Sequence, residues 1–424
     1  MEKAKYAEHE TQWPPLSEVR KSLRVQWYRC PVDRDVFAKL TERSDKKGFF
    51  QALGHLAIWM VTGTIVSTGR RPIPATRLGC MHGGGYGCWQ QHVYVAMVVA
   101  MFAHGTVGSA FIFGCHELGH GTVFKTRWLN RFFLYIFSVL WWWDPIDYAM
   151  SHTYHHRYTE YAKGDRENLF PLEPSLNPTL LLQLFSVDLF GTPGRVFGKG
   201  GLLSTVKLTF KAACGGIASE PYAPSHEWLQ TLHKDQPHEA LKSMWFSQCI
   251  VIFHVSVFAA SIVSGQWIFI LIVNFHKFCA MWLTYFMGQT QHIGLKSDSP
   301  DFRKNTRTIT LDPVSEFLYW HMNWHIEHHM FAGVPCYNLR ALHEEVSLDM
   351  PAPRTLLGAW REMRETWHRQ QADPEYEFDT PLPEFAGSSA KAVNLASEEQ
   401  SGFIGDLAPT GLADAEMFVG DKSL

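Results

Sequence analysis

Charged side chains are nearly absent from four stretches of this 424-residue sequence. None of the four contains Asp, Glu or Arg, and Lys277 is their single lysine; they cover residues 49–68, 93–115, 245–264 and 267–287. A helix of about 20 apolar residues can cross the ~30 Å hydrocarbon layer of a membrane, so we predict four transmembrane helices. The alternative is a soluble protein with long buried helices, but the short connection Ser264-Gly265-Gln266 is typical of a membrane hairpin.

An excess of positive charge is also missing. The sequence contains 38 Lys and Arg against 41 Asp and Glu, which gives a net charge of −3, and it has no basic cluster. Proteins that bind nucleic acids usually carry such a cluster. We therefore expect no nucleic-acid partner.

Lysine and arginine are distributed unevenly around the four stretches. Residues 1–48 contain 11 of them, whereas the loop over residues 69–91 contains three. Because positively charged segments stay on the cytosolic side of a membrane, we predict a cytosolic N-terminus. Four crossings then place the connection 116–244 and the chain after residue 287 on the same cytosolic side.

Two shorter apolar segments are expected at the membrane surface. Residues 132–143 end in Trp141-Trp142-Trp143, a pattern typical of the aromatic belt at the lipid headgroups. Residues 180–190 are apolar but too short to span, so we predict a surface or re-entrant helix there.

The eight cysteines include no CxxC pair. Cys80 and Cys88 lie in the predicted non-cytosolic loop, with four glycines between them. They form either a disulfide, if that compartment is oxidising, or two free thiols.

Three short motifs are dense in histidine: HELGH, HTYHH and HIEHH. On an α-helix, residues three and four positions apart share one face. Each motif can therefore direct two or three imidazoles to one place. The motifs supply eight histidines: His116, His120, His152, His155, His156, His325, His328 and His329.

This many imidazoles predicts a metal centre with two ions. Imidazole nitrogen suits Zn, Cu, Fe and Ni, whereas Mg and Ca prefer oxygen ligands. One tetrahedral zinc uses only four ligands. The predicted topology also brings His292 to the same side of the membrane, which makes it a candidate ninth ligand.

The chain therefore divides into four parts. We predict a cytosolic N-terminal segment (1–48), a membrane-embedded catalytic domain (49–345), a cytosolic C-terminal helix (346–371) and a tail (372–424). The tail holds 11 Asp or Glu against two Lys with little apolar periodicity, so we expect it to be disordered. The fold class is an all-α integral membrane protein, with four transmembrane helices and a cytosolic helical cap around the two-metal site.

The histidine motifs carry a resemblance to a known family. The run QHIGLKSDSPDFRKNTRTITLDPVSEFLYWHMNWHIEHHMFAGVPCYNLRALHEE, together with HELGHGTVF and SHTYHHRYT, resembles the membrane fatty acid desaturase and hydroxylase superfamily. Within it, the chain is most similar to the bacterial and fungal desaturase-like oxygenases. The resemblance covers roughly residues 50–345 and leaves both termini unexplained.

The resemblance implies two non-haem iron ions and O₂ as co-substrate, used to attack an unactivated C–H bond. Unlike zinc, iron can change its oxidation state. The implied iron ligands are the eight histidines of the motifs together with His292. Glu117, Asp165, Glu167 and Glu327 lie among the motifs and are the expected carboxylates that orient the ring N–H groups.

The resemblance also implies a hydrophobic, lipid-like substrate and a separate electron donor such as cytochrome b5 or ferredoxin. It implies a location in the endoplasmic reticulum with the site facing the cytosol, or in a bacterial inner membrane. We favour desaturation over hydroxylation of an acyl or other lipid-like substrate. The alternative is hydroxylation or epoxidation of a terpenoid or polyketide.

Several further residues have a less specific sequence signal. His321 is either a tenth ligand, a supporting donor or a polar helix residue. His55, His104, His254 and His276 are isolated on apolar helices and are expected to be packing residues. The basic residues Arg303, Lys304 and Arg307 are a candidate docking site for the electron donor.

Three other functions remain open at this point. HELGH also fits HExxH, in which two histidines bind zinc and the glutamate is the general base of a protease. Such a protease would leave HTYHH, His292 and HIEHH without a role. The second alternative is a lipid hydroxylase with zinc in the same histidine cage, and the third is a metal sensor or scaffold that does not consume O₂.

Overall fold

The computed structural model describes residues 13–68, 85–167, 172–191, 200–221 and 223–384. Residue 80 lies outside this part of the chain, and at residue 88 only the helical backbone is described. The hypothesis of a Cys80–Cys88 disulfide therefore lies outside the described structure. The described residues are mostly helical. Their α-helices, in chain order, are α1 (Leu16–Ser22), α2 (Arg34–Leu40), α3 (Asp45–Thr68), α4 (Gly85–Ser109), α5 (Phe111–Gly119), α6 (Arg127–Leu140), α7 (Pro145–Tyr158), α8 (Pro178–Leu184), α9 (Leu202–Ala213), α10 (Pro224–Asp235), α11 (Pro237–Val263), α12 (Trp282–Gly288), α13 (Phe302–Asn305), α14 (Pro313–Leu318), α15 (His325–Met330), α16 (Leu339–Val346) and α17 (Leu356–Gln370).

Among the residues that the structure describes, three helical segments are long and apolar enough to cross a membrane. They are Asp45–Thr68, Tyr94–Gly119 and Pro237–Val263. Large apolar side chains on these helices, such as Val61, Val98 and Val263, are exposed on the protein surface, as expected for side chains that contact lipid. Three of the four predicted membrane helices are therefore present.

The fourth predicted span does not form one continuous helix. After Trp267 the chain makes a π-helical turn (Ile270–Asn274), a 3₁₀ turn (His276–Phe278) and only then α12. The polar residues Asn274, His276 and Lys277 are buried here. Hydropathy predicted a regular helix because it averages over such local interruptions.

Side chains from other segments satisfy the backbone of this irregular stretch. His104 Nε2 lies 2.9 Å from the carbonyl oxygen of Ile272, and Trp142 Nε1 donates to the carbonyl oxygen of Asn274 at 2.7 Å. α4 also approaches closely, because a Cβ atom at Gly105 would lie only 2.3 Å from the carbonyl oxygen of Cys279. Irregular backbone at membrane depth is tolerated where protein surrounds it in this way.

The three consecutive tryptophans do not form a lipid-facing belt, so that prediction is wrong. Trp141, Trp142 and Trp143 are all buried. Trp141 Nε1 donates to the carbonyl oxygen of Ser109 at 2.7 Å, and the Trp142 ring stacks on His254. Indole rings suit the headgroup region because they combine an apolar body with an N–H donor that needs a partner. Here buried carbonyl oxygens accept from the N–H groups of Trp141 and Trp142 inside the protein.

The segment that contains α8 has an exposed apolar surface. Leu182, Phe185 and Phe190 are exposed, whereas Leu180 and Leu184 are buried. One apolar face of this short helix packs on the protein and a second apolar face is exposed on the surface. This arrangement fits the predicted surface or re-entrant segment. Its depth in a membrane stays a prediction.

The first part of the predicted disordered tail, residues 372–384, belongs to the described structure. Phe378 N–H donates to the carbonyl oxygen of Gly294 at 2.8 Å. Lys304 Nζ binds Asp379 Oδ1 at 2.5 Å. The acidic composition suggested a solvated tail, but one of its carboxylates, Asp379, pairs with Lys304. The rest of the predicted tail, beyond residue 384, lies outside the described chain.

The helix that carries HTYHH, α7, is fixed at its N-terminal end. Asp144 caps α7, since its Oδ1 accepts from Ile146 N at 2.9 Å, and its Oδ2 accepts from Ser243 Oγ of α11 at 2.7 Å. A short parallel pair joins β1 (Ile309–Thr310) to β2 (Arg354–Thr355) next to α15 and α17. These contacts hold the elements around the centre described next.

Candidate metal centre

The structure brings together all nine histidines that the sequence singled out as metal ligands. α5 and the residue after it supply His116 and His120, α7 supplies the three histidines of HTYHH, and α15 supplies those of HIEHH. His292 comes from the loop after α12. Seven of the nine are buried, and His120 and His156 are half-buried.

Five of these side chains form one group. Each offers one ring nitrogen, and these nitrogens lie within 4.8 Å of one another; the group is His116, His120, His152, His156 and His328. We call it the five-histidine group. It combines residues from all three motifs, so no single helix could form it.

A second group lies beside the first. His155, His292 and His329 satisfy the same 4.8 Å condition. His325 joins them, because its Nε2 lies 3.1 Å from His292 Nε2 and 3.2 Å from His329 Nε2. We call these four side chains the four-histidine group.

His156 links the two groups. Its Nε2 lies 3.2 Å from His328 Nε2 in its own group, and its ring stacks on His329 of the other group with ring centres 4.4 Å apart. The two groups are therefore neighbours, as a site for two adjacent ions requires.

Carboxylates lie behind several of the rings. His116 Nδ1 is 2.9 Å from Glu117 Oε1, and His155 Nδ1 is 2.8 Å from Asp165 Oδ2. His152 Nδ1 is 3.3 Å from Glu167 Oε1. Each carboxylate accepts a hydrogen bond from the ring, so we assign the ring proton to Nδ1, which leaves the Nε2 lone pair free to bind a metal.

Sequence reasoning missed the other groups that support the rings. The carbonyl oxygen of Asn305 lies 2.9 Å from His292 Nδ1, and Thr159 Oγ1 lies 3.3 Å from His329 Nδ1. Glu160 is buried at φ +63°, with its Oε1 3.7 Å from His292 Nδ1. Thr159 and Glu160 directly follow HTYHHRY and could have been proposed, but no sequence signal points to a backbone carbonyl.

Two of the predicted supporting residues act elsewhere. Glu327 accepts hydrogen bonds from His343 Nδ1 and Thr308 Oγ1, so it anchors α15 instead of orienting one of the nine rings. His321 Nδ1 lies 3.0 Å from Glu316 Oε1. Because an α-helix repeats every ~3.6 residues, Glu327 lies on a different face from the neighbouring His325, His328 and His329, and its carboxylate contacts other partners.

Burial controls the protonation of most of the centre. Burial and the neighbouring imidazoles lower the pKa of His152, His156 and His329 well below that of an ordinary histidine. For His155, burial also opposes the charged form, but the Asp165 carboxylate outweighs it and raises the pKa. Rings with a lowered pKa are neutral at pH 7 and present a lone pair to a cation.

The arrangement of donor atoms fits bound metal ions. In four pairs the Nε2 atoms lie 3.0 to 3.2 Å apart, for example His152 with His156 and His292 with His325. When both Nδ1 atoms carry the proton, two lone pairs face each other in a buried space. His116 Nε2 is buried there without a hydrogen-bond partner. A cation beside each pair would accept these lone pairs, and imidazole donors suit iron or zinc.

The isolated membrane histidines have different partners. His55 Nε2 lies 2.9 Å from the carbonyl oxygen of Val107, and its Nδ1 accepts from Trp320 Nε1 at 2.9 Å. His254 and His276 contact the carbonyl oxygens of Val139 and Leu140. His104 contacts that of Ile272, so all four act as packing residues, as expected.

The candidate docking site for an electron donor does not have the predicted form. Arg303 is buried between Asp301 and Asp349, with Nη1 2.9 Å from Asp349 Oδ1. Arg307 is buried and donates to Glu362. Only Lys304 of the three is partly exposed, so the sequence cluster is an internal ion-pair network rather than a basic surface.

Comparison with known proteins agrees with the chemistry of the centre. The fatty acid desaturase family model matches residues 89–361, which is more than half of the chain and includes all nine histidines. The chain is also 23% identical over 284 residues to the sn-1 oleoyl-lipid 12-desaturase of Anabaena variabilis, across 62% of this chain and 72% of that protein. This chain is an oxidoreductase and belongs to the fatty acid desaturase family.

Proposed function

We propose that this protein is an O₂-dependent di-iron enzyme that desaturates the acyl chain of a membrane lipid. The observation that carries the proposal is the pair of adjacent histidine groups, whose Nε2 atoms converge in a buried space. Nine imidazoles exceed what a single ion can use. In this proposal the five-histidine group holds one iron and the four-histidine group holds the other.

Two bound iron ions would supply the redox chemistry that activates O₂ and removes hydrogen from an alkyl chain. The residues of this chain prepare the site for it. Glu117, Asp165 and Glu167 hold a proton on the Nδ1 atoms that face them and keep the rings in one orientation. Preorganised ligands avoid a cost of reorganisation during the reaction.

Aromatic side chains border the centre and limit access of water. Tyr148 stacks on His152 with ring centres 4.7 Å apart, and the ring centres of Phe302 and His329 are 5.6 Å apart. A reactive site that excludes water suppresses side reactions. This surrounding favours an apolar substrate.

An acyl lipid is the substrate class that these observations favour. One of the three apolar segments leads directly into the centre, since Tyr94–Gly119 ends within the first ligand motif. The cyanobacterial relative is named for action on an oleoyl lipid. Hydroxylation or epoxidation of another hydrophobic molecule is the alternative, because these reactions differ in how the reacting carbon is placed.

The irregular fourth segment has a role in this topology. We propose that residues 267–288 cross the membrane as a discontinuous span, with the metal centre on the cytosolic side. The satisfied carbonyl oxygens of Ile272 and Asn274 support this, because a spanning segment must have its backbone groups paired. Electrons come from a separate donor of the cytochrome b5 or ferredoxin class.

The geometry gives little support to an HExxH protease. In that mechanism the glutamate acts as the general base on a metal-bound water. Here Glu117 lies on the Nδ1 side of His116, at 2.9 Å, and 3.5 Å from His328 Nδ1. It is therefore placed behind two candidate ligands instead of beside their metal-binding nitrogens.

The proposal is tested by expressing the chain with a reductase system and analysing lipids by mass spectrometry. We expect a product that has lost two hydrogen atoms in cells with the natural sequence, and none with His155→Ala. His238→Ala is the matched control, because the side chain of His238 is 76% exposed. A product that has gained an oxygen atom would show hydroxylation or epoxidation, and equal product from His155→Ala would contradict the role of the centre.

A further inference from the structure

A chain of buried hydrogen bonds leads from α10 to a ligand of the five-histidine group. Trp228 Nε1 donates to Ser151 Oγ at 2.8 Å, and Ser151 Oγ donates to Glu167 Oε2 at 2.9 Å. The other oxygen of Glu167 lies 3.3 Å from His152 Nδ1. Trp228 and Ser151 are both completely buried. The Glu167 carboxylate therefore cannot rotate without breaking a bond that water would not replace.

Trp228 is itself held in place from two sides. The guanidinium of Arg166 lies 5.1 Å from its ring centre, and Arg166 Nη1 binds Glu227 of α10 at 2.7 Å. The Tyr154 ring contacts the indole edge-on, with ring centres 5.6 Å apart. α10 is thus fixed to α7 and to the residue that precedes Glu167.

We propose that Trp228 and Ser151 are positioning residues that act on the metal centre through Glu167. They hold the carboxylate where it keeps the ring proton of His152 on Nδ1 and directs Nε2 into the five-histidine group. The four-histidine group has other supports, namely Asp165, Asn305 and Thr159. The inference rests on the proposed function for the identity of the metal, and on the observed hydrogen bonds for the coupling.

The coupling predicts a loss of affinity at one of two metal positions. The test titrates the metal-free, purified full chain with Co²⁺ and follows the absorption of the bound ion. Replacing a residue that supports a ligand commonly costs about 10- to 100-fold in metal affinity. We expect roughly the lower end, about tenfold, for Ser151→Ala and Trp228→Phe, at one position only.

Two variants serve as controls. Ser151→Thr keeps the hydroxyl and should restore the affinity of the natural chain. Trp360→Phe, on α17, removes a comparable buried indole N–H, which donates to the carbonyl oxygen of Phe286 on α12 at 2.8 Å. It should leave both Co²⁺ positions unchanged.

The possible results separate this inference from the proposed function. The positioning role would be overturned if Ser151→Ala and Trp228→Phe bound Co²⁺ with the same affinities as Trp360→Phe. It would also be overturned if both variants lost Co²⁺ affinity equally at the two metal positions. If Trp228→Phe does not fold, Ser151→Ala decides alone, because it removes one oxygen atom. A chain that shows the selective Co²⁺ effect but has no iron-dependent activity would contradict the proposed function and leave the positioning role standing.

Discussion

Two sets of buried histidines in this protein differ in what their ring nitrogens contact. In the membrane set, which comprises His55, His104, His254 and His276, a ring nitrogen bonds to a backbone carbonyl of another segment. In the nine-histidine centre, Nε2 atoms of different rings face one another. Several Nδ1 atoms face carboxylates, whereas those of His292 and His329 face the Asn305 carbonyl oxygen and the Thr159 hydroxyl. Most rings of both sets are buried, so burial does not separate them. A candidate ligand differs from a packing residue in that its Nε2 faces other imidazoles.

The comparison explains how one chain uses the same side chain for two purposes. In the membrane set, a backbone carbonyl oxygen accepts a hydrogen bond from the ring N–H. This bond satisfies a buried polar group and stabilises the irregular fourth segment. A carboxylate behind the ring increases the basicity of the opposite nitrogen. Substitutions in the two sets should therefore affect different properties: metal content and turnover in one, and the free energy of unfolding in the other.

The largest effect is expected for His156→Ala. His156 contacts both groups, with its Nε2 3.0 Å from His152 Nε2 and its ring stacked on His329. We expect the loss of at least one metal ion and a decrease in turnover beyond the roughly 100-fold seen when only a supporting residue is lost. Elemental analysis and product quantification measure this, with His238→Ala as the control. Full metal content in His156→Ala would place the ligands elsewhere.

A smaller effect is expected for Asp165→Asn. Asp165 contacts His155 Nδ1 and also accepts from the backbone N–H groups of Glu160 and Glu167 at 3.0 Å each. Loss of its charge should lower metal affinity at the four-histidine group by about 10- to 100-fold. Competition with a chelator measures the affinity. Asp235→Asn, which changes a carboxylate paired with Arg20, is the matched variant that should bind metal normally.

His104→Ala should affect stability and leave the metal centre intact. The substitution leaves the buried carbonyl oxygen of Ile272 without its imidazole partner, which costs about 1–3 kcal/mol. Thermal unfolding in detergent should show the lower stability, while metal content stays the same. A loss of metal comparable to that of His156→Ala would show that the two sets are not functionally distinct.

The smallest effect is expected for His321→Asn. His321 lies at φ +58°, a conformation that asparagine tolerates, and its ring contacts Glu316. The variant should retain both metal ions and nearly all of its activity. A selective loss of one ion would instead make His321 a tenth ligand.

The parts of the structure that the sequence predicted are those with a strong local pattern. Long uncharged stretches identified three of the membrane helices, and helical spacing within each motif predicted the convergence of the histidines. The fourth span escaped this reasoning because Asn274, His276 and Lys277 are few among many apolar residues. Their burial depends on partners such as His104 and Trp142, which are distant in the sequence.

Side-chain partners at long range were equally hidden from sequence reasoning. Position within a motif suggested that Glu117 and Glu327 would act alike, yet Glu117 contacts His116 and Glu327 contacts His343. The basic run around Arg303 suggested a surface, but Asp349 and Glu362 neutralise its arginines inside the fold. Trp228 had no sequence signal, because its relation to the centre passes through Ser151.

Metal analysis of the purified, active full chain tests the central claim most directly. Two iron ions per chain, with fewer in His156→Ala and an unchanged number in His104→Ala, is the result that two adjacent imidazole groups predict. A single zinc ion in the active protein, or activity without any bound metal, would contradict the account.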